Sequence, residues 1–277
     1  WSPDGSRIAW ISDASGEYQI YTAPSERMTE PRCLTDFKEG YPTNLQWSPD
    51  GSKLYFSTLH WDVYELDADT KALSRIGGGE RSAIRSFPLS PDGAWAAYTA
   101  TLPNFTSCLY LLDLKSRKSH QVTDRWYDAG SPLFSRDGKY LFFTSSREFR
   151  SQYSQVEWNS SYSVTDYVFV LPLAKDTPNP MTLRSDEYAP GGEDARPDGA
   201  KHEGPKDVKA ETRVDTDGLA QRITALPLEA GRYRLILADA DKLYYSSFSG
   251  FMMQGGPRGG APAGGIKALD LKTMQTS

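Results

Sequence analysis

One five-residue motif occurs four times in this chain of 277 residues, at nearly constant spacing. The copies are Trp1-Ser-Pro-Asp-Gly5, Trp47-Ser-Pro-Asp-Gly51, Leu89-Ser-Pro-Asp-Gly93 and Phe134-Ser-Arg-Asp-Gly138, which begin 46, 42 and 45 residues apart. A repeat of about 40–50 residues with strand-like content is typical of a β-propeller, in which each unit is a four-stranded blade. The repeat therefore predicts an all-β fold built from four-stranded antiparallel blades.

Each residue of the motif suits a tight turn. Proline fixes φ near the value required at the first central position of a turn. The aspartate can accept hydrogen bonds from backbone amides of its own turn, and the glycine tolerates positive φ. An alternating strand follows, as in Lys53–Ser57. We interpret the motif as the hairpin between the first and second strands of each blade, and its aspartate as structural rather than catalytic.

The spacing of strand-like segments predicts about five blade units. The first unit lacks its innermost strand, which favours a fragment of a larger propeller. A segment at 184–213 contains few apolar residues and is predicted to be a flexible low-complexity loop. The last unit is predicted to begin with a strand at Gln221–Leu226. The predicted units cover residues 1–40, 41–83, 84–128, 129–183 and 214–277.

Motifs for catalysis or metal binding are not evident in the sequence. The three histidines are far apart and lack metal-ligand spacing, and no G-x-S-x-G elbow occurs. Cys33 and Cys108 show no pattern of a disulfide or a metal site. The formal charge of 31 − 36 = −5 argues against nucleic acid as a partner, and no run of apolar residues is long enough to span a membrane. We therefore expect no catalytic residue, metal or cofactor in this chain.

An unusual insertion interrupts the fourth unit, within residues 145–173. Loops at the ends of a propeller commonly carry ligand contacts, so the insertion is the candidate site for peptide binding or gating. The alternative is that its aromatic side chains simply pack over the edge of the blade. The candidate residues are Arg147, Arg150, Tyr153, Glu157, Trp158 and Tyr162.

Three longer runs carry a resemblance to a known family. They are DRWYDAGSPLFSRDGKYLFFTSSREF (124–149), EWNSSYSVTDYVFVLPLAKDTPNP (157–180) and DTDGLAQRITALPLEAGRY (215–233). These runs are similar to the second propeller of tricorn protease homologues. The resemblance implies a large serine peptidase that degrades oligopeptides, in which two propellers precede a PDZ domain and a catalytic core.

The resemblance also implies a role for this segment. It would be a non-catalytic propeller that guides or gates oligopeptides and contacts the PDZ domain and the catalytic core of its own polypeptide, with the catalytic serine outside it. Self-association into a homo-oligomer is left open. The expected compartment is the cytoplasm of a bacterium or archaeon, or the periplasm if a signal peptide has been removed.

Two alternatives remain at this point, because the motif hairpins also resemble those of other families. One is the propeller of a prolyl-oligopeptidase-type hydrolase, which an α/β-hydrolase domain would follow. The other is a TolB-like scaffold for protein interactions that has no peptidase attached.

Overall fold

The computed structural model describes residues 1–27, 30–78, 84, 86–148, 152–153, 160–161, 166–182, 210–248 and 265–277. Within these ranges the strands form five antiparallel sheets and one two-stranded ribbon, and the only helical segment is a 3₁₀ turn at Ala220–Arg222. The sheets follow one another along the chain as blades. The prediction of an all-β propeller is confirmed.

The first three blades follow the order of the sequence. The first contains β1 (Arg7–Ser12), β2 (Gln19–Pro24) and β3 (Arg32–Cys33). The second contains β4 (Pro42–Trp47), β5 (Lys53–Thr58), β6 (Asp62–Asp67) and β7 (Leu73–Gly78). The third contains β8 (Trp95–Thr101), β9 (Ser107–Asp113) and β10 (Lys118–Gln121), and Leu89 bridges to Ala96 on its inner side.

The fourth blade begins with β11 (Ala129–Phe134) and β12 (Tyr140–Ser145). After β12 comes the separate ribbon of β13 (Gln152–Tyr153) and β14 (Ser160–Ser161), and the blade is completed by β15 (Tyr167–Pro172) and β16 (Thr224–Ala225). The fifth contains β17 (Arg232–Ala238), β18 (Lys242–Phe248) and β19 (Lys267–Asp270).

The position of β16 corrects the expected start of the last unit. The segment Gln221–Leu226 was expected to open the fifth blade, but Thr224 and Ala225 pair with Val170 and Phe169 of β15. The amide of Leu226 also donates to the carbonyl of Val168. This pairing satisfies backbone groups of β15 that would otherwise form an open edge. The third and fourth strands of the fourth blade, β15 and β16, are therefore separated by a long stretch of sequence. The innermost strand of the fifth blade is β17.

The end of the segment predicted as a flexible loop is packed against the propeller. Thr212 is only 4% exposed, and its amide donates to Asp92 Oδ2 at 2.7 Å. The amide of Asp215 donates to the carbonyl of Leu173, and Arg222 donates to the carbonyls of Pro172 and Leu173. Residues 210–213 therefore do not belong to a solvated loop, because backbone and charged groups hold this return segment against the third and fourth blades.

The hydrophobic core lies between neighbouring blades. In β5, Leu54 and Phe56 face the first blade, whereas Tyr55 joins the cluster shared with the third. In β12, Phe143 packs in the cluster shared with the third blade, and Phe142 packs in the cluster shared with the fifth. A strand that is buried on both faces needs apolar residues at consecutive positions. This explains why apolar and polar residues do not alternate in these strands.

The antiparallel strands give the propeller two different ends. One end, called here the turn end, carries the four motif turns and the hairpins between third and fourth strands. The opposite end, called here the loop end, carries the hairpins between second and third strands and the connections from one blade to the next. All further description uses these two names.

The motif turns at the turn end are hairpins, as predicted. In the second blade the amide of Gly51 donates to the carbonyl of Ser48 at 2.9 Å, and Gly51 has φ of 71°. Asp50 Oδ1 accepts the Ser52 amide at 3.0 Å and the Ser48 hydroxyl at 2.5 Å. The Ser48 hydroxyl oxygen in turn accepts the amide of Lys53 at 2.9 Å. The same pattern recurs in the turns that contain Asp4, Asp92 and Asp137.

Candidate functional site

A cavity of about 680 Å³ opens at the loop end, between β8 with its following hairpin in the third blade and the innermost strands of the fourth and fifth blades. Apolar lining comes from Phe105, Pro132 and Leu235. Hydroxyl groups form much of the remaining lining, from Ser86, Thr99, Thr101, Ser107 and Ser131. A concave site with a few convergent polar groups is the usual form of a ligand-binding pocket.

A β-bulge in β11 shapes one wall of this cavity. The register with β12 shifts between Gly130 and Leu133, so that Ser131 and Pro132 have no paired residue in β12. Ser131 has φ of 49°, which is uncommon for a residue other than glycine. A bulge redirects side chains and interrupts the ladder of backbone hydrogen bonds. It therefore places an exposed serine at the cavity wall.

Bulges also occur in the innermost strands of the second and fifth blades. In β4 the register shifts between Thr43 and Gln46, and in β17 it shifts between Leu235 and Leu237. Asn44, in the bulge of β4, donates from Nδ2 to Ser57 Oγ at 2.8 Å and to the carbonyl of Ile84 at 2.6 Å. The bulge of β4 is thus used to join two blades, whereas the bulge of β11 faces the cavity.

Asp128 is the one charged residue among the described residues that line the cavity. Its Oδ1 accepts the backbone amide of Ser107 at 2.8 Å, and its carbonyl accepts the amide of Ser146 at 3.2 Å. These two bonds connect the segment before β11 to the starts of β9 and the insertion. They hold the carboxylate at the cavity wall.

A second carboxylate, that of Asp166, lies near Asp128 at the loop end. Burial raises the pKa of Asp166, and the negative charge of Asp128 raises this pKa further, while Arg232 partly offsets both effects. Neither Asp128 nor Asp166 forms an ion pair with any residue that the structure describes. Asp128 and Asp166 therefore give this part of the loop end a negative potential, which Arg232 offsets only in part.

Exposed aromatic side chains surround this region. Phe105 is 76% exposed and Trp126 is 83% exposed. The loops that carry them are joined, because Asn104 Nδ2 donates to the carbonyl of Arg125 at 2.9 Å. The two rings are therefore held outward by ordered loops beside the cavity, where they can contact a ligand or a neighbouring domain.

The structure describes only some of the candidate residues predicted from the insertion. The Arg147 guanidinium lies 5.8 Å from the centre of the Phe169 ring, and its Nη2 is 3.6 Å from Asp124 Oδ2. Arg147 therefore packs at the loop end and is not among the cavity-lining residues. Tyr153 lies in β13, whose side chains are not described. The other four, Arg150, Glu157, Trp158 and Tyr162, lie outside the described residues, so the proposed gating set stays a prediction.

The described part of the chain shows no assembled catalytic group. His60 lies beside Gly40, and His120 packs near the Trp95 ring at 6.1 Å, and neither forms a hydrogen bond with a described serine. No group of three or more metal-ligating side chains occurs in the same ranges. The search for helices long and apolar enough to cross a bilayer also found none in these residues.

Comparison with known proteins decides the family. The model of the tricorn protease second beta propeller domain matches residues 1–277. The chain belongs to this tricorn second-propeller family. Tricorn protease homolog 1 of Streptomyces coelicolor is 26% identical over 237 residues, which is 84% of this chain and 22% of that protein.

Solved structures show the same fold. The crystal structure of the tricorn protease matches 98% of this chain and 25% of that chain, with a TM-score of 0.74 and 20% sequence identity. TolB from Acinetobacter baumannii matches 98% of this chain and 52% of its own, with a TM-score of 0.52 and 14% identity. The chain thus spans about a quarter of the length of the tricorn proteins that it matches.

The cavity residues of this tricorn-type propeller were missed in the sequence. Asp128 and Phe105 lie in ordinary connections and Ser107 is the first residue of β9, and nothing local shows that they meet at one site. One signal was present: Gly130-Ser131-Pro132 lies within the stretch that leads into the fourth motif turn. Glycine and proline within a strand commonly mark a bulge, and bulges often adjoin functional sites.

Proposed function

We propose that this propeller is a non-catalytic segment of a tricorn-like serine peptidase, and that it receives and guides oligopeptides at its loop end. The observation that carries the proposal is the cavity at the loop end, whose lining comes from three neighbouring blades. It is lined by hydroxyl groups and by the bulged backbone of β11. An extended peptide suits such a wall, because its own amide groups can bond to backbone and hydroxyl groups while its side chains enter apolar pockets.

The chemistry of the described residues agrees with a guiding role. The serines and threonines of the cavity have no histidine beside them among the described lining residues, so the pairing of a hydroxyl with an imidazole that activates a serine nucleophile is not formed there. The peptide bond would therefore be cleaved elsewhere in the parent protein. The family match favours this function over the propeller of a prolyl-oligopeptidase-type enzyme.

Contacts with neighbouring domains belong to the same proposal. Phe105 and Trp126 expose large apolar areas at the loop end, and exposed patches of this kind commonly mark interaction surfaces. We assign this surface to other domains of the parent polypeptide, for which the PDZ domain and the catalytic core are the candidates. For the whole protein the cytoplasm is the proposed compartment, with bacterial and archaeal tricorn homologues as the support.

The test is peptide binding without hydrolysis. The purified 277-residue chain is mixed with unlabelled oligopeptides, binding is measured by calorimetry, and the peptides are then analysed by mass spectrometry. We expect binding and intact peptides. Thr99→Phe, which fills the cavity wall, should weaken binding about tenfold or more, since it removes space and a hydroxyl.

The matched control is Lys115→Phe, which adds the same ring at an exposed site of the turn end and should leave binding unchanged. Equal binding by both variants and the wild type would place peptide recognition outside the cavity. Hydrolysis that survives repurification and disappears on substitution of one serine of this chain would contradict the non-catalytic role.

A further inference from the structure

The described lining of the cavity carries negative charge and no positive charge. Asp128 is charged, and the other described lining residues are hydroxylic, apolar or small. No described lysine or arginine lines the cavity. An anionic wall without a resident cation favours a cationic ligand group, because the ligand supplies the missing counter-charge.

The geometry of the Asp128 carboxylate restricts the kind of cation. Oδ1 already accepts the Ser107 amide at 2.8 Å, and the other carboxylate oxygen accepts no hydrogen bond from a described residue. A carboxylate with one oxygen already bonded to an amide suits a compact ammonium group better than a guanidinium, whose planar fork is best matched by two unbonded carboxylate oxygens. The carboxylate therefore favours an alkylammonium over an arginine side chain.

The neutral lining completes the coordination that an ammonium requires. An alkylammonium donates three hydrogen bonds, and Asp128 can accept one of them. Hydroxyl oxygens of Ser86, Thr99 and Ser131 line the same cavity and can accept the others. The nearby carboxylate of Asp166 adds to the negative potential without lining the cavity.

We infer that the cavity binds an alkylammonium group of an oligopeptide against the carboxylate of Asp128. This inference rests on the proposed function and specifies the ligand chemistry of the same site. The amino terminus of a peptide and the side chain of lysine both supply this group. A propeller that binds it would orient peptides by their positive charge as they pass the loop end.

The experiment compares three peptides of equal length on the 277-residue chain: a tetra-alanine with a free amino terminus, its N-acetylated form, and an N-acetylated form with one lysine. All three carry an amidated carboxyl terminus. Calorimetry at low salt gives the dissociation constants. We expect the free-amine peptide, the lysine peptide or both to bind the wild type about tenfold more tightly than the uncharged peptide.

Asp128→Asn should abolish this preference. Asparagine keeps an oxygen for the Ser107 amide, so the loop keeps its hydrogen bond while the charge is lost. Asp36→Asn is the matched control, since Asp36 is an exposed aspartate that pairs with Lys38 away from the cavity. This control should keep the preference in full. The lysine and free-amine peptides then show which source of the ammonium the cavity accepts.

The outcomes separate the two proposals. If all three peptides bind the wild type equally, the ammonium site is wrong and peptide guidance stands. If the preference survives in Asp128→Asn, the cation is recognised elsewhere and the inference fails. If none of the peptides binds the wild type, both the inference and the proposed function fail. The comparison of peptides on the wild type needs no variant, so it remains decisive even if a substitution impairs folding.

Discussion

Aspartates at the two ends of this propeller have opposite electrostatic surroundings. At the turn end the Ser2 hydroxyl, together with the hydroxyl and amide of Ser6, lowers the pKa of Asp4 to about 2. The hydroxyl of Ser48 and the amide of Ser52 likewise lower the pKa of Asp50. At the loop end, burial and the neighbouring charge of Asp128 raise the pKa of Asp166.

The difference shows how polar groups are used at each end. The turn end satisfies the carboxylates of its motif turns with donors close in the sequence, as Asp50 accepts from Ser48 and Ser52, which stabilises the fold and leaves little of each carboxylate for a ligand. The loop end holds Asp128 and Asp166, which form no ion pair with a described residue, and it exposes the rings of Phe105 and Trp126, so charged and apolar groups are available there for binding. Ends that differ in this way should respond differently to matched substitutions.

The largest expected effect tests how closely the motif turns pack on one another. Gly93 has φ of 71°, and a Cβ added there would lie 2.9 Å from Pro49 Cδ in the neighbouring turn. Gly93→Ala combines backbone strain with a collision against a rigid ring, and should lower the free energy of unfolding by about 3 kcal/mol. Urea unfolding gives this value from the midpoint and slope.

Gly5→Ala is the control for that measurement. Gly5 has φ of 73°, and an added Cβ would have no atom within 4 Å. The substitution should cost only the backbone strain, about 1 kcal/mol. Equal losses in the two variants would mean that stacking between neighbouring turns contributes nothing to stability.

An intermediate effect is expected from two ion pairs on the same strand, β6. Toward the turn end, Glu65 is 8% exposed and accepts from the Tyr55 hydroxyl, while Lys53 and Arg117 pair with it at 3.0 and 2.8 Å. Burial opposes the charge of Glu65, but these three donors outweigh it and lower its pKa. Glu65→Gln should lower the free energy of unfolding by about 2 kcal/mol, because it leaves Lys53 and Arg117 without a counter-charge between two blades.

At the loop end of β6, Asp62 pairs with Arg75, whose side chain is 59% exposed. Asp62→Asn should change the free energy of unfolding by no more than about 0.5 kcal/mol, since exposed pairs are screened by solvent. Chemical unfolding of both variants measures the contrast. A larger loss from Asp62→Asn than from Glu65→Gln would reverse the proposed difference between the ends.

The smallest expected effect is a difference in sign between two aspartate substitutions, one at each end of the propeller. Asp50 has a lowered pKa, so its ionised form stabilises the fold above an ordinary pKa near 4, and this contribution is lost as pH falls through the lowered value. Asp166 has a raised pKa, so its ionised form destabilises the fold at neutral pH, and this penalty disappears in acid. At pH 7, Asp50→Asn should lower the free energy of unfolding by about 0.5 kcal/mol, and Asp166→Asn should raise it by a similar amount.

Calorimetric melting at pH 7 checks both signs, with expected shifts of about 1–2 °C. Repeating the melts at progressively lower pH should reduce each difference, and the Asp166→Asn difference should disappear first because its pKa lies higher. If both substitutions shift the melting temperature in the same direction at pH 7, the two ends do not differ in the way described.

Local sequence was sufficient for the turn end. The hydrogen bonds that close each motif turn join residues at most five positions apart, as in Ser48 to Lys53, so the local sequence is sufficient to form the turn. The positive φ of Gly51 and Gly93 follows from the same local requirement. Because the motif repeats at blade spacing, the all-β propeller could also be predicted from the sequence.

The candidate site could not be predicted in this way. Of the six residues chosen from the insertion, only Arg147 has a described side chain, and it packs on Phe169 outside the cavity. The residues that do line the cavity come from three blades and lack a shared motif. Composition singled out the aromatic insertion, but composition does not determine which connections meet in space.

The sequence by itself determined the turns and the blade period, because the turns depend on contacts within a few residues and the period on the regular repetition of these turns. It also determined the family resemblance, which rests on runs of sequence. The tertiary structure decided that β16 closes the fourth blade and that Asp128 is held by Ser107, 21 residues away. It also decided that the bulge of β11 faces a cavity. These features depend on which strands pair and which blades pack together. The local sequence pattern does not determine that pairing, because the same pattern is compatible with other partners.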